Sequence, residues 1–201
     1  MADPRGIGIS CPRVWVPLPL EGPEPVRRWA KRTAAELLER DRAAGHQLYA
    51  GQLHADRLRR DLRSRCEDSR TREPVHAFAL VPEGVGRSVA VLEVRLTAPA
   101  ETDAHVTVEQ LAHHYGADHF GPPHMTRTEL PAGPALRIRQ NLAMPGGRGA
   151  PGLVVESLIH GILPPGGDFA VMVLATWAVP GIGAEMEETV DEVVRSVVVE
   201  W

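Results

Sequence analysis

Four histidines lie close together between residues 113 and 124, and this segment has the residue types best suited to metal chemistry. Imidazole nitrogens and a neighbouring carboxylate are common ligands of zinc and other divalent ions. The candidate ligands are His114, Asp118, His119 and His124. Their spacing matches no helical His-x-x-x-His pair and no zinc motif, and a polar loop after a helix end accounts for the same residues. The sequence therefore favours a chain without a cofactor and leaves, as an alternative, a small enzyme that depends on zinc or another divalent ion.

Arginines are concentrated between residues 57 and 72. Guanidinium groups bind carboxylates through parallel hydrogen bonds. Acidic residues are interleaved with them and the chain has a net charge of −4, which argues against a nucleic acid partner. A solvated helix face is enough to explain the pattern. The alternative is a surface that binds a protein partner, and its predicted contacts are Arg57, Arg60 and Arg63. Trp201 fits no apolar stripe and is the candidate aromatic contact to a partner or a second copy.

No catalytic motif is complete. The glycine-rich segment 145–152 lacks the Lys-Ser/Thr end of a phosphate-binding loop, and Cys11 has no local base to activate it. Cys11 and Cys66 are too few for a disulfide framework, and we favour two reduced thiols over one bridge. The first residues do not resemble a signal peptide, and no apolar run approaches the ~18 residues of a membrane span. We expect a cytoplasmic protein that is not an enzyme and does not enter a membrane.

The segment from residue 134 to residue 201 determines the predicted fold class. Alternating residues over 136–142 and apolar runs over 153–162 and 169–177, with Gly/Pro turns between them, predict three antiparallel strands. Apolar residues at helical spacing then predict an amphipathic helix whose acids, Glu187 and Asp191 among them, face solvent. The residues after Val197 continue that helix or return as a short edge strand.

The upstream elements complete an α+β pattern. In chain order we predict an edge strand or strap, two helices, two strands, a short helix and a further strand, at 14–20, 26–45, 51–66, 75–81, 89–97, 107–116 and 125–130. This order indicates an antiparallel sheet, a meander of about five to seven strands, covered by helices. No linker is evident, so we expect a single domain over 1–201, with a strap and helical layer in 1–73 and the sheet and last helix in 74–201. Only Lys31 of the 22 basic residues is lysine, a bias typical of a GC-rich genome such as an actinobacterium's.

The order of a hairpin, a short helix, a meander and a last amphipathic helix resembles the PsbP-like fold. The resemblance is carried by the segments 130–139, 169–179 and 186–197 and extends over residues 75–201. Members include photosystem extrinsic subunits, a Ran-binding nuclear import factor and mycobacterial LpqN-type lipoproteins; the two N-terminal helices depart from a minimal version, and the LpqN-type lipobox is absent. Because members mostly bind partners, the resemblance implies a non-catalytic adaptor, chaperone, or assembly or immunity-type partner. The alternatives are the metal-dependent enzyme and a structural subunit of a homo-oligomer.

Overall fold

The structure is a computed structural model that describes residues 5–22, 24–46, 52–97, 121–144 and 153–201. The predicted helix at 107–116, most of the histidine segment and the turn at 145–152 lie outside these residues. The described part of the chain forms three helices and nine strands. In order they are β1 (Gly6–Gly8), β2 (Trp15–Pro17), α1 (Val26–Ala43), α2 (Gln52–Arg70), β3 (His76–Leu80), β4 (Ala90–Thr97), β5 (His124–Leu130), β6 (Gly133–Met144), β7 (Leu153–Ile162), β8 (Ala170–Trp177), α3 (Gly183–Arg195) and β9 (Val198–Glu200).

Seven of these strands form one antiparallel sheet, in the order β2-β3-β4-β8-β7-β6-β5. Its β5–β8 part is a meander, in which each strand pairs with the next one along the chain. The remaining strands, β1 and β9, form a separate two-stranded sheet. The predicted α+β class, an antiparallel sheet covered by helices, is therefore confirmed.

Several elements differ from the sequence prediction: β6 runs from Gly133 to Met144 rather than over 136–142, and no strand was predicted at β1. Helix α2 continues to Arg70, because ion pairs between residues four apart support its last turns: Arg63 with Glu67, and Arg72, just past the helix, with Asp68. Of the two alternatives predicted for the residues after Val197, the structure has the short edge strand: they form β9, which pairs with β1. Neither outcome follows from apolar periodicity alone.

Residues 12–93 form one of two compact units. Helices α1 and α2 pack together, and their apolar stripes meet the faces of β2 and β3 that carry Val16, Ala77 and Ala79. The helix residues of this core are Val26, Trp29, Ala30, Ala34, Leu37, Leu58, Leu62 and Cys66. Burial of these side chains provides the main stabilisation of the unit, since each large apolar side chain contributes about 1.5–3 kcal/mol.

The second compact unit combines residues 1–11 with residues 94–201. Helix α3 covers one face of the meander with its apolar stripe of Met186, Val190, Val193 and Val194. The opposite face of these strands holds a cluster formed by Leu136, Ile138, Ile159, Ala170 and Met172. Because side chains alternate along a strand, the face beneath α3 carries Arg137, Arg139 and His160.

Candidate functional site

Helix α2 presents the arginines that the sequence selected. Leu58, Leu62 and Cys66 recur every four residues and are at most 1% exposed, so they fix which side of the helix faces the core. Arg57 and Arg60 consequently lie on the outer side and are exposed, and Arg63 is partly exposed. A spacing of three residues rotates each arginine by about 60° from the last, so the three share one broad face.

The three arginines differ in what they contact. Arg57 makes no hydrogen bond or ion pair with another described residue, whereas Arg60 donates from Nε only to the backbone oxygen of Asp56 at 3.2 Å. Arg63 Nε donates to Glu67 Oε1 at 2.7 Å, one helical turn away. Arg57 and Arg60 therefore keep a positive charge that no described acid neutralises, and Arg63 is already paired. We call Arg57 and Arg60 the α2 arginine pair.

Trp201 lies against its own chain. Its ring centroid is 5.8 Å from that of Phe169, and the two ring planes are tilted by 51°. A Cβ placed on Gly167 would come within 3.0 Å of the Trp201 ring, so the turn before β8 is shaped to admit the indole. Trp201 remains 42% exposed. It thus has an intramolecular packing role, and its use as a partner contact stays a prediction.

The predicted metal ligands fall mostly outside the described residues. This applies to His114, Asp118 and His119. His124 is the first residue of β5 and is exposed, opposite Arg139 in the β5–β6 register. Among the residues that the structure describes, no group of three or more His, Cys, Asp or Glu side chains is arranged to hold a metal ion. The zinc site stays a prediction.

Six ionisable side chains beneath α3 form a continuous chain that the sequence analysis did not identify. In order of contact they are Glu156, Arg139, Glu187, Arg137, Asp191 and His160, with acids and bases alternating. The predicted solvent-facing position of Glu187 and Asp191 is wrong. Both face the sheet, where guanidinium groups of β6 compensate their charge.

The contacts along this ionic chain are close. Arg137 donates to Glu187 Oε2 at 2.5 Å and to Asp191 Oδ1 at 3.1 Å. Arg139 donates from Nε to Glu187 Oε1 at 3.2 Å and from Nη2 to Glu156. The Arg139 guanidinium also lies over the indole of Trp177, with Cζ 4.8 Å from the ring centroid, a cation–π arrangement.

Asp191 and His160 form the most buried contact of the ionic chain. His160 is 2% exposed, and its Nε2 lies 3.0 Å from Asp191 Oδ1. Its Nδ1 has no hydrogen-bond partner among the described residues. Burial alone would raise the pKa of Asp191, but hydrogen bonds from His160 and Arg137 outweigh it and hold that pKa below its ordinary value.

The ionic chain fastens a helix to a sheet, because its acids on α3 bind arginines on β6. A signal for it exists in the sequence: Arg137 and Arg139 alternate with apolar residues on one strand, and Glu187 and Asp191 are four residues apart on the helix. Next to it lies an open cleft of about 500 Å³, lined by residues that include His124, Asn141 and Glu156. Arg139 also lines this cleft, and it is already paired with Glu156 and Glu187, so a ligand could reach its guanidinium only by breaking existing ion pairs.

The two cysteines are free thiols. Burial raises the pKa of the Cys11 thiol to about 12, so at neutral pH it is protonated and a poor nucleophile. Burial also raises the pKa of Cys66, whose Sγ donates to the backbone oxygen of Pro19 at 3.3 Å. Neither thiol has the lowered pKa that a nucleophilic cysteine requires.

None of the described helices is both long and apolar enough to cross a bilayer. Comparison of the chain with models of protein families gives no match, and comparison with curated proteins gives none either. The resemblance to the PsbP-like fold accordingly stays a prediction.

Proposed function

We propose that this chain is a non-catalytic protein-binding domain that acts as an adaptor, chaperone, or assembly or immunity-type partner. Its binding surface is the outer face of α2, and its partner is a protein with an acidic surface. The observation that carries the proposal is the α2 arginine pair: Arg57 and Arg60 are exposed and have no acidic partner among the described residues.

The helix that carries the pair is held firmly. Its own Leu62 and Cys66 are fully buried on the side that faces the core, and Arg70 at its end donates two hydrogen bonds, at 2.9 and 2.7 Å, to the backbone oxygen of Pro19. Just beyond the helix, Arg72 binds the buried carboxylate of Glu93 through both Nε and Nη2. A rigid helix loses little conformational entropy when a partner binds, which favours affinity.

Arginine suits this role chemically. It is among the residues most often found at the energetic centre of protein interfaces, because its planar fork binds carboxylates through two hydrogen bonds. Exposed like charges on one face also accelerate encounter with a surface of opposite charge, and salt weakens this effect. The net charge of −4 for the whole chain supports a protein rather than a nucleic acid as the partner.

The chemistry of the described interior supports a non-catalytic role. The one fully buried histidine, His160, is bound to Asp191, and the Cys11 thiol is protonated at neutral pH. Two free thiols are also consistent with a reducing compartment, so we propose that binding occurs in the cytoplasm. The partner-binding behaviour of PsbP-like proteins agrees with this proposal by analogy.

The test is a pull-down from the native host at near-physiological salt, followed by mass spectrometry. Wild-type protein should recover one dominant protein in fixed ratio, and Arg57→Glu/Arg60→Glu should lose it, because reversal turns attraction into repulsion. The matched control is Arg27→Glu/Arg28→Glu, which makes the same charge change at exposed positions of α1. Arg63→Glu should weaken recovery less, since Glu67 already neutralises Arg63. Equal recovery by both double variants, or no dominant partner, would refute the proposed surface.

A further inference from the structure

The two edges of the seven-stranded sheet are built differently. At one edge, β2 spans only Trp15–Pro17 and contains a proline, two features that discourage pairing with another strand. At the other edge, β5 runs from His124 to Leu130 without a proline or a lysine. Among the described residues no strand pairs with its outer side. Within the described part of the sheet, the outer side of β5 thus has no neighbouring strand, which is what the addition of a further strand requires.

We propose that β5 pairs with β5 of a second copy of this chain, in antiparallel orientation about a two-fold axis. The sequence of the strand is self-complementary in one register. With Thr128 of each copy on the axis, Arg127 of one copy lies opposite Glu129 of the other, and the symmetry repeats this pair. Side chains directly opposite in such a pair have Cβ atoms about 4.5–5.5 Å apart, close enough for an ion pair.

The neighbouring registers are unfavourable. When the axis passes through Arg127, that arginine faces its own copy, and when it passes through Glu129, two carboxylates face each other. Like charges directly opposite destabilise a strand pair. The alternation of Arg127 and Glu129 on one face thus favours the register centred on Thr128 over both of its neighbours, and it is the register that gives two ion pairs.

The burial pattern agrees with an accessible strand. Thr126, Arg127 and Glu129 are exposed, and Thr128 is partly exposed. Threonine is also favoured in strands. The prolines at 122, 123 and 131 limit the pairing to β5 itself, since proline cannot donate to a ladder. The contact is short, so association is weak and is best measured at high protein concentration.

The experiment is analytical ultracentrifugation of the full chain over a range of concentrations. The wild-type mass should rise from 21.9 kDa toward twice that value. Arg127→Glu and Glu129→Arg should each remain monomeric, because each places like charges opposite one another. An equimolar mixture of the two variants should associate again, since every cross-strand pair in that heterodimer joins opposite charges. The double variant Arg127→Glu/Glu129→Arg should also dimerise.

Matched controls reverse a charge elsewhere: Arg27→Glu and Glu188→Arg, both at exposed helical positions, should dimerise like wild type. A second measurement requires no variant, because hydrogen exchange of the β5 amides should slow as wild-type concentration rises. The proposal is overturned if the wild-type chain stays monomeric and hydrogen exchange of the β5 amides does not depend on concentration. In that case a strand that pairs with this edge would have to come from another protein. The proposal is equally overturned if folded single variants dimerise, or if their mixture stays monomeric.

Discussion

Asp191 shows how one residue depends on its partners. Its carboxylate accepts hydrogen bonds from Arg137 on β6 and from His160 on β7, so a single helix residue is tied to two strands. A carboxylate withdrawn from water is stabilised only when such donors compensate the lost hydration. The lowered pKa of Asp191 is the consequence, because the donors favour its charged form more than burial opposes it.

The substitution Asp191→Asn tests this account through pH. A carboxyl group whose folded-state pKa is lowered stabilises the fold above its ordinary pKa, and the contribution is lost as pH falls toward the folded-state value. We expect the variant to be less stable than wild type by about 1–2 kcal/mol near neutral pH. The difference should shrink below about pH 4. Urea unfolding of both proteins across this range measures it.

The control for this prediction is Glu188→Gln, on the exposed side of α3. It removes an acid of the same helix that makes no ion pair with a described residue, so its unfolding free energy should follow wild type at every pH. A constant difference between wild type and Asp191→Asn from neutral to acidic pH would contradict the assigned role of the carboxylate.

The sequence could not place Glu187 and Asp191 correctly, for a physical reason. Helical periodicity separates apolar from polar residues, and it assigns every acid outside the apolar stripe to solvent. Whether an acid at the border of that stripe meets an arginine depends on a strand about 50 residues earlier in the chain. By contrast, the outward direction of Arg57 follows from the positions of Leu58 and Leu62 alone, because the arginine and the apolar stripe lie on the same helix.

Strands and turns were the elements best determined by sequence. Segments such as 153–162 are apolar runs bounded by glycine and proline, and β7 has the predicted bounds. The glycine and prolines between residues 131 and 134 are likewise typical of a turn, and they join β5 to β6. The structure adds that Gly133 has φ +136°, and that a Cβ there would lie 2.4 Å from the backbone oxygen of Leu163. No local pattern predicts that approach, because it comes from the turn after β7.

The substitution Gly133→Ala should therefore destabilise the sheet for two reasons, backbone strain and collision with Leu163. Gly22→Ala is the matched control, because Gly22 also has a positive φ, +114°, but a Cβ there meets no described atom within 4 Å. We expect Gly133→Ala to cost about 1–3 kcal/mol more than Gly22→Ala, the usual cost of overpacking. Chemical denaturation of both variants measures the difference. Equal losses would mean that the turn relaxes without cost.

At the scale of the whole molecule, the first and last described strands pair with each other. Gly6–Gly8 lies antiparallel to Val198–Glu200, and the Arg5 amide donates to the backbone oxygen of Glu200 at 2.7 Å. Ser196 strengthens this contact, because its hydroxyl accepts from the Ser10 amide and lies 2.9 Å from the Ser10 carbonyl oxygen. Such a pairing closes a loop of nearly the whole chain, which has an entropic cost. Because the two strands are so far apart in sequence, no local sequence pattern predicts that they pair.

A chain that ends at Val197 tests this closure, because it lacks β9 and the Trp201 ring. We expect the amides of residues 5–8 to exchange rapidly with solvent in this variant, since Arg5 loses its acceptor and β1 loses its partner strand. Trp201→Ala separates the two effects: it removes the contact with Phe169, worth about 0.5–1.5 kcal/mol beyond the buried area, but leaves the β1–β9 ladder intact. Hydrogen exchange of peptides covering β1 should therefore resemble wild type in Trp201→Ala and be faster only in the shortened chain. Unchanged protection of β1 after removal of β9 would show that other contacts hold the first strand in place.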